Sequence, residues 1–271
     1  MKRGFLHFHQ GWTDIVNCLS LIKWYSDIYD ELVVLNREDS KKIVDFFCVG
    51  LKNVRPIYLS KYLLDEESNG RLHIIDYLKH NRIIEIENYD LLIHGFPDHY
   101  RNDQYKSIFP RLFNNFHFVE GFYVSYDIPY STRINFFDFT RNYSDENKEY
   151  SDFVGKYGYD YILYHEDPTR NMGYPLPIVK GENYVNLNGN LDNVFSYIKI
   201  LENAKHLHLI DSVWASFCYL LDSKYSILRN TEISLYPLIN RPGGCLNYIP
   251  NIRPTNLYPK DLKNWKIINY F

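Results

Sequence analysis

The chain has 271 residues, 45% of them hydrophobic, with a formal net charge of −3 and a pI near 6.4. That length allows one large domain or two small ones with real cores. The charge balance removes any whole-chain electrostatic case for nucleic-acid binding. The 26 Tyr and 17 Phe have two readings: the codon usage expected of an AT-rich genome, which is favoured, or aromatic platforms for sugar rings, a role open to only a few of the tyrosines. The cysteines, Cys18, Cys48, Cys218 and Cys245, form no C-x-x-C pair, so zinc and redox motifs are not expected and free thiols in a reducing compartment are. The opening Met-Lys-Arg-Gly-Phe lacks the apolar run of a signal peptide, and no stretch approaches the ~20 apolar residues of a membrane span. The expectation is a soluble, cytoplasmic protein.

Strand and helix signals alternate from the start. Residues 4–9 read as a strand, and residues 14–29 carry Ile15, Cys18, Leu19, Ile22 and Tyr25 at helical spacing. A second strand is expected over 31–36, a helix over 37–51, a third strand over 54–59 and a fourth over 89–95, the last flanked by helix-like segments. Residues 101–147, rich in aromatics and turn formers, read as irregular helical pieces linking two halves. The rhythm then resumes with strands at 159–165 and 184–188, a helix at 193–203, a strand at 206–210, a helix at 212–221 and a strand at 225–229. The Pro-, Gly- and Asn-rich tail after Tyr236 is expected to wrap the surface. A βαβα order of this kind predicts parallel sheets covered by helices.

The first strand runs into His9-Gln10-Gly11-Trp12-Thr13-Asp14, a glycine turn that opens a helix. Such a turn aims unpaired N–H groups and the positive end of the helix dipole at the carboxyl end of a sheet, where α/β folds bind ligands. Two readings of Asp14 are open: a helix-start residue that complements the dipole, or a carboxylate able to take a proton from an acceptor hydroxyl. Gly11 permits close backbone approach. His7 and His9 share one strand face, as a metal pair or as hydrogen-bonded cleft or core residues, and His9 is the better site candidate.

Asp211-Ser212-Val213 repeats the strand-to-helix design, as a cap or as a diphosphate site at the helix N-terminus. His165-Glu166-Asp167 ends a strand in the same half. Arg141 closes an apolar run and reads either as a phosphate clamp or as a surface charge. No Walker loop, G-x-G-x-x-G, G-x-S-x-G or D-x-D occurs. Without an Asp pair to hold a metal diphosphate, a metal-free chemistry is expected.

Taken together these stretches resemble the GT-B glycosyltransferases, nearest to the heptosyltransferase-like branch and its bacterial and large-virus relatives. The opening turn resembles that branch's H-x-G-x-G-D pattern, with Thr13 at the second glycine. Phe122-Tyr, Arg141, Tyr161-Ile-Leu-Tyr-His165-Glu-Asp and Asn203-Ala-Lys-His-Leu-His-Leu-Ile-Asp211-Ser-Val-Trp continue the likeness. The resemblance implies an α/β fold of two Rossmann-like domains facing a cleft. Residues 1–140 would take the acceptor, through the turn His9, Gln10, Gly11, Trp12 and Thr13, and residues 141–271 the nucleotide-sugar donor. It implies Asp14 as general base, and a donor diphosphate held by Asp211, Ser212, Val213 and Arg141 with His165 nearby. The implied reaction is an inverting sugar transfer to a glycan or other hydroxyl acceptor, with no metal and no cofactor beyond the nucleotide-sugar co-substrate. A nucleotide-sugar epimerase and a non-catalytic glycan- or nucleotide-binding protein remain as alternatives on the same architecture.

Overall fold

The computed structural model describes residues 1–8, 11–68, 72–94, 118–124, 126–166, 176–187, 193–210, 212–236 and 263–268. Contacts divide the chain into two compact units, Met1–Phe139 and Thr140–Phe271.

Unit 1 is built on four parallel strands, β1 (Arg3–Phe8), β2 (Glu31–Arg37), β3 (Val54–Leu59) and β4 (Asp90–His94), in the order β3-β2-β1-β4. Their inner stretches, such as Leu32 to Leu35, are buried on both faces, as parallel strands under helices must be. Gly4 sits where β1 meets the Tyr29 ring; a Cβ there would lie 3.0 Å from that ring.

One sheet face packs on α3 (Lys61–Ser68) and α4 (Ile74–His80), in a core with Phe5, Val33, Leu35, Leu64, Ile74 and Leu78. The connections from β1 to β2 and from β2 to β3 run through α1 (Trp12–Ser26) and α2 (Lys41–Phe47). The helix expected over 37–51 is shorter, because Arg37 still pairs with β3 and Glu38–Ser40 form a 3-10 turn. Eleven residues of α1 are buried, more than one face provides, because α5 (Phe118–Val124) and α6 (Thr132–Asn135) cover its outer side. The expected linker over 101–147 is therefore corrected in part: residues 118–139 belong to the core of unit 1. The Phe109–Phe113 stretch lies outside the described residues.

Unit 2 opens with α7 (Tyr143–Tyr157), a helix the sequence reading passed over, capped at its start by the Asn142 side chain accepting from Asp145 N–H. Five parallel strands follow: β5 (Ile162–His165), β6 (Tyr184–Asn186), β7 (His206–Ile210), β8 (Glu232–Tyr236) and β9 (Trp265–Ile267), ordered β6-β5-β7-β8-β9. Between them lie a 3-10 turn at Val194–Tyr197, α8 (Ile198–Glu202) and α9 (Val213–Tyr225).

Two expectations are corrected here. The strand expected at 225–229 is a turn: α9 runs to Tyr225, Ser226 adopts a left-handed conformation, and Asp222 Oδ1 accepts from the Leu228 N–H. The strand begins at Glu232. The tail also adds β9 at the sheet edge, where Trp265 Nε1 donates to Asp222 Oδ2 at 3.0 Å.

His94 ties β4 to the helices above it. Its Nδ1–H donates to the Phe122 carbonyl, so Nε2 accepts from the Tyr25 hydroxyl at 2.8 Å. Burial pushes its pKa down to about 4, opposed by the Phe122 hydrogen bond. A folded-state pKa below the unfolded value means that the unfolded chain binds the proton more tightly. The stability His94 contributes is complete above pH ~6.5 and is lost as pH falls toward 4, a loss approaching about 3 kcal/mol. NMR titration should place His94 near 4 and denaturation should show the acid-side loss; a His94 titrating near 6.5 would contradict this.

Candidate functional site

In an open parallel sheet, ligands bind beyond the carboxyl ends of the strands where the strand order reverses. In unit 1 that point lies between β1 and β4, because β2 and β3 run off one side of β1 and β4 lies on the other. The turn after β1 leads here. His9 and Gln10 lie outside the described residues. Gly11 is the extended N-cap of α1, and its carbonyl accepts from Ile15 N–H at 2.9 Å.

Trp12 opens the helix and is held by Arg37, whose guanidinium lies 5.4 Å from the ring centre and is fixed by Asp39. Thr13 lies inside the helix with no positive φ, so its backbone needs no glycine. Its carbonyl accepts from Asn17 Nδ2 at 2.8 Å. Asp14 follows in the first turn, 8% exposed.

The surroundings of Asp14 are electrostatic in character. One turn below it, the Cys18 thiol is pushed well up by burial, next by the charge of Asp14, and is opposed by Arg133. Arg133 of α6 is almost fully buried. Its Nη1 donates to the Tyr130 hydroxyl at 2.8 Å, and its carbonyl accepts from Ser20 Oγ at 2.6 Å. Sequence reasoning missed this cation. Its only signal was an arginine inside an aromatic and apolar run, Tyr130-Ser-Thr-Arg-Ile-Asn-Phe-Phe137.

His7 faces the other side of the sheet from His94. Its Nε2 bonds to both carboxylate oxygens of Glu67, at 3.0 and 3.1 Å, in a buried pair. This places His7 with the hydrogen-bonded core reading. Among the described residues no group of three or more His, Cys, Asp or Glu is arranged to hold a metal ion.

In unit 2 the order reverses between β5 and β7. His165, 7% exposed, ends β5 in register with Leu209. Asp211 lies outside the described residues. Ser212 is the extended N-cap of α9, and Val213 is its first helical residue. The topology thus brings His165, Ser212 and Val213 to one switch point.

The Ser212 hydroxyl is buried, makes no capping bond, and has no hydrogen-bond partner among the described residues. The indole N–H of Trp214, two positions on, is equally buried and unpartnered among them. Buried donors of this kind ordinarily have an acceptor.

Arg141 is elsewhere engaged. Its Nε donates to Glu146 at 3.0 Å, and its Nη1 and Nη2 donate to the two oxygens of Glu202 at 2.7 and 2.9 Å. Its Nη2 also donates to Glu146. The two carboxylates hold its pKa above the usual arginine value. The phosphate clamp expected of Arg141 is therefore corrected to a tie between the start of α7 and the end of α8. His206 and His208 likewise serve the sheet face, stacked at 4.0 Å and bonded to Ser234 and Tyr236.

The whole chain is similar in fold to the crystal structure of the glycosyl transferase family 9 protein from Veillonella parvula DSM 2008. The TM-score is 0.54 at 9% sequence identity, over 100% of this chain and 87% of that one. No protein-family model matches the sequence, and no curated protein matches it. At that identity the likeness is one of fold: two α/β units, each on a parallel sheet, in a GT-B-like architecture. No helix among the described residues is long and apolar enough to cross a membrane.

Proposed function

We propose that this chain is a glycosyltransferase that moves a sugar from a nucleotide-sugar donor to a hydroxyl of a glycan or other acceptor, with inversion and without a metal. The observation that carries the proposal is the buried Ser212 hydroxyl at the N-terminus of α9, which has no hydrogen-bond partner among the described residues. A thirteen-residue helix there offers free N–H groups and its positive dipole end, a ready acceptor site for a diphosphate. The fold likeness to a family 9 glycosyl transferase supports the same reading.

Unit 1 supplies the other half of the chemistry. Asp14 accepts the proton of the attacking acceptor hydroxyl as the new glycosidic bond forms, while Gly11, Trp12 and Thr13 shape the acceptor side. As the bond from the anomeric carbon to the donor oxygen breaks, negative charge collects on the leaving nucleoside diphosphate. The α9 N-terminus, Ser212 and Val213 stabilise it, with His165 beside them. A base on the face opposite the leaving group gives inversion. Charge is met by N–H groups and a hydroxyl, so the step needs no metal. Arg141 has no part in it.

Thermal shift with UDP, GDP, ADP and CMP tests the donor half. One of the four should raise Tm by about 5 °C or more at a hundredfold excess over its Kd. Ser212→Ala should weaken that response without lowering the Tm of the unliganded protein. No response to any nucleotide would remove the donor site.

A further inference from the structure

Among the described residues, Arg133 is the only lysine or arginine that is buried, at 1% exposure. A guanidinium is almost never buried this far without a carboxylate partner. Among the described residues of unit 1, two carboxylates are buried, Asp14 and Glu67. Both oxygens of Glu67 hold His7, on the α3 side of the sheet. Asp14 lies on the side where Arg133 is.

Helix geometry turns Asp14 toward the layer that buries Arg133. Thr13, Asn17, Ser20 and Trp24 form one stripe of α1, and Asp14, Cys18, Leu21 and Tyr25 form the next. The first stripe meets α6. Ser20 Oγ donates to the Arg133 carbonyl at 2.6 Å, and the Trp24 ring meets Phe136 edge-on at 5.0 Å. The second stripe meets β4 and α5, where the Tyr25 hydroxyl donates to His94 and His94 to the Phe122 carbonyl. Tyr123 of α5 bridges the two, its hydroxyl donating to the Asn17 carbonyl. Asp14 therefore borders the space between α5 and α6.

The charges in that space agree. Burial pushes up both the Cys18 thiol and the Tyr123 phenol. Asp14 adds to the rise at Cys18, and Arg133 opposes the rise at both. Thiol and phenol stay neutral, and the Tyr130 hydroxyl accepts from Arg133 Nη1. Arg133 is the charge that Asp14 faces.

We propose that Arg133 is a positioning residue, whose guanidinium holds the Asp14 carboxylate in place and in its charged, proton-accepting form. The inference rests on the glycosyltransferase reading for the reaction that Asp14 serves, but the pair itself stands without it. Sealed from solvent, Arg133 touches neither donor nor acceptor and acts through Asp14 alone.

Side-chain NMR of the full chain tests the pair without turnover. The Arg133 guanidinium signals should stand apart from those of exposed arginines, and they should move in Asp14→Asn. Asn keeps an oxygen for the guanidinium to donate to, so the fold is retained. Kinetics tests the role. Arg133→Met should lower kcat about tenfold to a hundredfold, with the KM of both substrates unchanged. It should also move the acid-side fall of kcat/KM up by about one pH unit or more. Arg133→Lys should restore the wild-type pH profile, because the charge returns, and only part of kcat, because an ammonium lacks the planar fork. A residue that merely ties α6 to α1 would lower Tm and leave the pH profile in place. Guanidinium signals that Asp14→Asn leaves unmoved, or a pH profile that Arg133→Met leaves unmoved, would overturn the proposal. The guanidinium signals decide even where Arg133→Met fails to fold or no substrate turns over; the latter result removes the sugar-transfer reading and not the pair.

Discussion

Replacing Asp14 by Asn should abolish sugar transfer while leaving the fold and donor binding in place. A positioned general base contributes about 10²–10⁴-fold to a rate, and an amide accepts no proton at neutral pH. The loss should fall on kcat, because Asn keeps the size of the side chain and sits in the same first turn of α1. The substitution removes one charge next to Cys18 and Arg133, so a small change in Tm is expected. Thermal shift with the donor nucleotide should match the wild type, since α9 and Ser212 belong to the other unit. Steady-state kinetics with a saturating donor decides the matter. A variant that turns over at the full rate would strip Asp14 of its role and leave it a helix-start residue.

Arg141→Ala should act on stability, and strongly. Glu146 is 1% exposed, and its carboxylate accepts from Arg141 Nε and Nη2. Removing the guanidinium strands that charge. Breaking a buried pair from one side costs about 3–5 kcal/mol, which corresponds to a Tm lower by roughly 10 °C or more in a domain of this size. Arg141→Lys should recover only part of the loss, because an ammonium cannot hold two carboxylates with a planar fork. If Arg141 were a phosphate clamp, the pattern would reverse, with an unchanged Tm and a loss of nucleotide affinity. Calorimetry of the unliganded variant beside nucleotide titration separates the two roles.

Much of the fold was legible because buried parallel strands are short apolar runs that alternate with helical spacing. Leu32-Val-Val-Leu35 and Leu91-Leu-Ile93 read as strands and are strands. The Tyr225-Ser-Ile-Leu-Arg229 stretch misled for a physical reason. It is a short apolar run like a buried strand, yet Asp222 and the left-handed Ser226 turn it into the cap of α9. Amphipathic α7 was missed because its polar side dominates and only Phe153 and Glu146 are buried.

The candidate residues were legible where chain-local geometry places them: a glycine and an acid at one helix start, a serine at another. They were not legible where distant partners decide. Nothing near Arg141 shows that Glu202, 61 positions away, claims its donors. Nothing near Arg133 shows that a short helix will bury it against α1, with its carbonyl held by Ser20. Thr13 is a different case. As a departure from a glycine pattern it looks costly, and inside a helix it is an ordinary residue.

The central claim is sugar transfer, and its most direct measurement is NMR-monitored turnover of a nucleotide-sugar panel with hydroxyl acceptors, in the presence of EDTA. The account predicts that one donor releases its nucleoside diphosphate only when an acceptor is supplied. The product should carry the opposite anomeric configuration, and Asp14→Asn should show no release above background. Retention of configuration, full dependence on an added divalent metal, or interconversion of the donor without an acceptor would contradict it.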